Sequence, residues 1–97
     1  MARHDVCRLN DGLVLEVQAD LLEALNTRVM VPLLSRDAAP VPARGLNPVF
    51  LLGEEEVVMA TQFLAAVPKS ELSKPLGSLD AHHVEITQAL DLLFQGI

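Results

Sequence analysis

Residues 6 to 20 read VCRLNDGLVLEVQAD, and this stretch decides the fold. Asp11-Gly12 stands between two extended segments. That pair is a hairpin signal, because a tight two-residue turn needs positive backbone φ angles. After it, Leu13, Leu15, Val17 and Ala19 alternate with Val14, Glu16, Gln18 and Asp20. Alternation with a period of two predicts a half-buried strand with one face inward. The chain therefore opens as a β protein.

Reading outward, VMVPLL from Val29 is an apolar run broken by Pro32. Proline donates no ladder hydrogen bond, so this strand is expected at an edge or a bulge. RDAAPVPARGLNP carries Pro40, Pro42, Gly45 and Pro48 and reads as a loop. VFLLGEEEVVMA predicts a second hairpin, with Gly53 and three glutamates at its turn. TQFLAAVPKSELSKPLGS continues that strand and ends in a loop marked by Pro68, Pro75 and Gly77. The last segment is the one long helix. Ser78 or Asp80 can cap it, and Ile86, Ala89, Leu90, Leu93, Phe94 and Ile97 share one face. Val84 and Leu92 fall on the other side beside Gln88 and Gln95, so a twin helix across a dimer axis is expected to cover Val84, Gln88 and Leu92.

Composition sets further bounds. The chain has 97 residues, enough for one domain over 1–97, and 51% of them are hydrophobic, with three Phe and no Trp or Tyr. A chain of this size buries about two-thirds of its unfolded surface. The apolar surplus predicts a partner surface, most simply a second copy. Seven Lys and Arg against thirteen Asp and Glu give a net charge of −6. Such a chain repels phosphate backbones and anionic membranes, which disfavours direct nucleic-acid binding; the same charge also serves plain solubility.

One cysteine, Cys7, allows no internal disulfide. MARHDVCRLN has no apolar core of a signal peptide, and no run approaches the ~20 apolar residues of a membrane span. A cytoplasmic, reduced protein is the expectation, with Cys7 as a small buried strand residue. Chemistry is equally sparse. No phosphate-binding glycine loop, paired-cysteine zinc spacing or nucleophile elbow occurs. His82 and His83 point about 100° apart on a helix and cannot share an ion there. Neither a metal nor a cofactor is expected, and the chain reads as a binding module, not an enzyme.

Several segments in fixed order resemble the CcdB family, toxins of toxin–antitoxin modules that poison bacterial DNA gyrase. LEVQAD is similar to the family's valine-glutamine strand, and RVMVPLL to its arginine, apolar run and proline. LNPVFLLGEEEVVMAT followed by AAVP is similar to its central hairpin and bend. ALDLLFQGI resembles the terminal helix and its closing glycine and isoleucine. The resemblance implies a small SH3-like β-barrel of the CcdB/MazF type with a C-terminal helix, forming a homodimer. It implies binding to the DNA gyrase A subunit that traps the cleaved-DNA complex. A cognate CcdA-like antitoxin would wrap the dimer and supply the DNA contacts of a repressor complex.

In the family the gyrase contact lies in a terminal tryptophan, glycine and isoleucine. The last two carry over to Gly96 and Ile97; the first position holds Gln95. Glutamine offers hydrogen bonds but no π face, and losing such an aromatic anchor typically costs about 2 kcal/mol or more. Two other readings stay open at this point. One is a non-toxic or divergent module that binds antitoxin without poisoning gyrase. The other is an mRNA-cleaving ribonuclease of the MazF and Kid kind, which needs a cationic groove and an acid–base pair. Short LNDGL turns where plasmid toxins are longer, and Arg28 and the proline-rich loop are candidate antitoxin contacts.

Overall fold

Residues Asp5–Leu9 (β1) and Gly12–Glu16 (β2) form the opening hairpin in this computed structural model, which describes residues 2–39, 41 and 43–96. Leu9 pairs with Gly12, so the two-residue turn is Asn10-Asp11. Asn10 takes the positive φ, 53°, and Gly12 is already strand. The hairpin forms as expected but one residue earlier, because asparagine tolerates the left-handed region through its short polar side chain.

β2 departs from the half-buried reading. Leu15 packs into one apolar cluster with Val6, Val31, Leu33 and Phe50. Its neighbour Val14 joins a second cluster on the opposite face with Cys7, Met30 and Val67. Glu16 and Gln18 are buried too. Both faces of the strand are covered, so the alternation seen in the sequence marks two interiors, not an inside and an outside. Cys7 is fully buried on β1, and burial pushes its thiol above its ordinary range. That favours the inert thiol over the reactive thiolate.

Thr27–Leu34 (β3) is the central strand, which overturns the edge placement suggested by Pro32. It pairs with β2 on one side: Leu13 faces Leu33, and Glu16 faces Met30. On the other side it serves two strands in turn. Residues 27–30 pair with Ala65–Pro68 (β6), and Leu33 and Leu34 pair with Glu55–Met59 (β5). Pro32 lies between those two pairings. Its carbonyl accepts from Ala60 N at 3.0 Å, on the side where β5 gives way to β6. A missing N–H costs nothing in ladder bonds at such a hand-over.

Val49–Leu52 (β4) and β5 make the second hairpin around Gly53, whose φ of 66° a side chain rarely adopts. Ala65–Pro68 is a separate strand, not a continuation of β5. A 3-10 turn at Thr61–Phe63 breaks the path, and the hydroxyl of the buried Thr61 donates to Leu46 O. Gly77–Ser78 (β7) then pairs with β1. The sheet order is β4-β5-β3-β2-β1-β7, with β6 on β3. A side chain on Gly77 would come within 3.8 Å of Leu52, which brings the β7 and β4 edges together in a nearly closed barrel. The expected SH3-like barrel with one C-terminal helix is thus the fold.

His83–Gln95 (α1) lies across this barrel through Ile86 and Ala89, both fully buried with Val6, Leu15 and Phe50. Its entry differs from the expected caps. A 3-10 turn, Asp80–His82, precedes the helix; Ser78 Oγ accepts from Asp80 N at 3.1 Å. The Asp80 carboxylate turns away to His4, whose Nδ1 lies 3.0 Å from Oδ1. A carboxylate only accepts, so Nδ1 carries the proton. His4 is 1% exposed at a φ of 74°, unusual for a bulky residue. Its backbone closes two more bonds: its N–H donates to Glu16 O at 2.7 Å, and its carbonyl accepts from Leu79 N at 2.8 Å. One residue ties β1, the end of β2 and the helix entry.

That tie has a sign in pH. The hydrogen bond from His4 holds the Asp80 carboxyl below its ordinary value of 3.8. A carboxyl depressed in the folded state contributes stability above its unfolded value, and loses it as pH falls through the folded one. Asp80→Asn is therefore expected to lower Tm at neutral pH, with the gap from wild type closing between about pH 5 and pH 2. Thermal melts of both proteins across that range check it; a gap that widens in acid contradicts the assignment.

Candidate functional site

The helix end is where the sequence directed attention. Ile86, Ala89, Leu90 and Leu93 lie toward the barrel as expected, the last two half-buried. Phe94 does not; it is 68% exposed. It stands about 80° round the helix from Ile86, at a flank of the apolar stripe, in the last turn. Gln95 is exposed beside it, and no basic side chain lies in the last turn. Gly96 closes the helix in the left-handed conformation, φ 72°, with its N–H donating to Leu92 O at 2.9 Å. A side chain there would meet nothing, so the glycine is required by backbone conformation and not by space. Ile97 lies outside the described residues.

The residues expected at a dimer contact fall on one stripe. Val84 is about half exposed and Gln88 is exposed. Leu92 is half-buried, and its Cδ2 lies 3.4 Å from where a side chain on Gly45 would begin. Part of Leu92 is therefore covered by the chain's own turn at Gly45, which turns at a φ of 80°. The two histidines part company, though His82 ends the 3-10 turn and only His83 is on the helix. His82 tilts against Phe50 with ring centroids 4.9 Å apart and lies 3.6 Å from Glu85 Oε1, while His83 Nδ1 faces Asp80 O at 3.2 Å. Among the described residues, no three His, Cys, Asp or Glu side chains converge to hold a metal ion, and no helix is long and apolar enough to cross a membrane.

Arg28 is not available as a surface contact. It is 2% exposed, with its guanidinium turned onto backbone carbonyls inside the protein. Glu16 lies 3.7 Å away and is equally buried; burial raises its carboxyl and Arg28 opposes the rise. The surface that sequence reasoning missed lies just beyond these two. Asp20–Leu22 forms a short 3-10 turn, and Leu21 is 91% exposed, with Leu22 and Leu25 about half exposed. The signal was present in DLLEAL, three leucines in five positions with Asp20 before them and Glu23 among them. An open depression of about 560 Å³ borders this segment, lined by Asn26, Pro68, Lys69, Ser70 and Leu72.

Among the described residues, the helix end beyond Phe94 contributes no burial. Neither Gln95 nor Gly96 is buried, so deletion of Gln95 to Ile97 is expected to cost about 1 kcal/mol or less, the worth of one helix-terminal cap. Urea denaturation measures it; a loss of several kcal/mol would place these residues in the core.

Two comparisons bear on this geometry. The family model described as CcdB protein matches residues 3–96, nearly the whole chain. Among solved structures, an endoribonuclease in complex with its cognate antitoxin, from a mycobacterial species, superposes with a TM-score of 0.74 at 19% identity. The match covers 94% of this chain and 91% of that one. At that identity the likeness is one of fold.

Proposed function

The chain belongs to the CcdB family of toxin–antitoxin toxins, and from that membership we propose that it binds the DNA gyrase A subunit as a homodimer and traps the cleaved-DNA complex. It acts by binding and performs no bond-making of its own. A cognate antitoxin neutralises it and supplies the DNA contacts, as suits a chain of net charge −6. The antitoxin in the similar endoribonuclease structure supports that partnership.

The observation that carries the reading is the helix end. An aromatic side chain, Phe94, stands in solvent, followed by a polar Gln95 and a left-handed Gly96. A monomer gains nothing from exposing a phenyl ring there. A partner surface does, since aromatic anchors dominate the energetics of interfaces. Val84, Gln88 and Leu92 remain the helix face proposed for the twin copy.

Gln95 favours a second reading, in which the protein binds antitoxin but does not poison gyrase. A glutamine in the family's tryptophan position removes the ring that would stack on a partner guanidinium. Gyrase-mediated DNA cleavage separates the two. Purified protein, gyrase, ATP and supercoiled plasmid are expected to accumulate linear DNA, and Gln95→Trp is expected to raise that yield at equal protein concentration. Removing Gln95 to Ile97 is expected to abolish it. A folded wild-type dimer that yields no cleaved complex supports the non-toxic reading instead.

A further inference from the structure

The last turn of α1 has little core beneath it. Ile86 and Ala89 seat the helix in the barrel; beyond them Leu90, Leu92 and Leu93 are half-buried, and Phe94, Gln95 and Gly96 stand in solvent. A helix end so lightly packed frays. On its flank, however, the chain builds a wall. Residues 43–47 form a turn in which the amides of Leu46 and Asn47 both donate to Ala43 O, at 2.9 and 3.2 Å. Gly45, at the apex of that turn, stands against the Leu92 side chain. Leu92 in turn carries the carbonyl that accepts the Gly96 N–H.

Two buried polar side chains fix this turn to the chain that follows β5. Asn47 is 5% exposed and engages both ends of its amide. Its Oδ1 accepts from Ala43 N at 3.0 Å, while Nδ2 donates to Met59 O at 3.0 Å and to Gln62 Oε1 at 2.7 Å. Only this orientation meets an N–H with oxygen and a carbonyl with nitrogen. Thr61, fully buried, donates its hydroxyl to Leu46 O, and Met59 N donates to Pro48 O at 2.9 Å. The 3-10 turn that carries Thr61 and Gln62 itself lies beside α1. A buried amide costs free energy unless its polar atoms find partners, and an apolar residue would fill the same volume without that demand. What a satisfied polar network adds is one geometry, since each bond has a length and a direction.

We propose that Asn47 and Thr61 are positioning residues, which brace the last turn of α1 through Gly45 and Leu92 and so present Phe94, Gln95 and Gly96 in one orientation to the protein partner. This deepens the gyrase reading above and rests on it. Both side chains are buried, so their effect on binding passes through the turn and the helix. A helix end ordered before contact avoids an ordering cost that association otherwise carries.

The test uses full-length protein and purified gyrase A subunit. It compares wild type, Asn47→Asp, Thr61→Val, Thr61→Ser, Phe94→Ala, and Asn47→Asp combined with Phe94→Ala. Asn47→Asp keeps the shape and the acceptor but loses both donors. Affinity is read by calorimetric titration, and amide hydrogen exchange is followed on each free protein. Asn47→Asp is expected to weaken binding about tenfold and to lose protection at residues 93–96, while Ile86, Ala89 and β3 keep theirs. Thr61→Val is expected to follow it, and Thr61→Ser, which restores the hydroxyl, to bind as wild type does. Phe94→Ala should cost far less beside Asn47→Asp than alone; a merely structural amide would give additive losses. Unchanged affinity, unchanged protection at the helix end, or additive losses in a folded Asn47→Asp protein overturn the proposal. Thr61→Val carries the same decision should Asn47→Asp not fold. Wild type that fails to bind gyrase A overturns the functional reading, and this proposal falls with it. Wild type that binds, matched by Asn47→Asp and Thr61→Val, overturns this proposal alone.

Discussion

The backbone of β3 is the constraint on which the rest depends. Eight residues must have their donors and acceptors met on both sides, and the chain answers with strands from three different regions. β2 occupies one side, and β6 and β5 divide the other. A buried polar backbone group left unpaired costs about 1–3 kcal/mol, so this division admits little slippage. It also explains the two apolar clusters. A strand flanked on both edges and covered on both faces puts Val31 and Leu33 into one interior and Met30 into the other.

That arrangement explains which parts of the fold could be read in the sequence. Both hairpins were legible, because turn residues act locally: Asp11-Gly12 announced the first, one residue beyond the Asn10-Asp11 turn that forms, and Gly53 the second. The helix was legible from Ile86 and Ala89 at helical spacing. Pro32 misled, because its meaning depends on residues 59 to 65, which the local pattern does not contain. β6 was missed for the same reason; a four-residue strand exists only because β3 has an edge to fill. His4 and Arg28 gave no local signal at all. Their partners, Asp80 and the carbonyls of the loop, are brought to them by tertiary structure.

The candidate site divides similarly. Gly96 was singled out only through the resemblance, and its positive φ makes it the helix stop as well. Phe94 was assigned to the core because periodicity counts positions on a face and does not know where the barrel ends. The leucines of DLLEAL were overlooked because a short apolar cluster between strands resembles ordinary core sequence. Exposure, not hydrophobicity, marks them, and exposure is a property of the fold.

The tie between His4 and Asp80 reaches beyond the finished molecule. Its two ends are 76 positions apart, and β1 must also wait for residues 77 and 78 to fill its outer edge. The interior meanwhile lacks Ile86 and Ala89 until the final segment has been made. Contacts of such long sequence separation come late and together, because loop closure must be met before any of them stabilises the chain. A nascent chain therefore cannot assemble its barrel, or mature its binding surface, while it is still being synthesised up to that point.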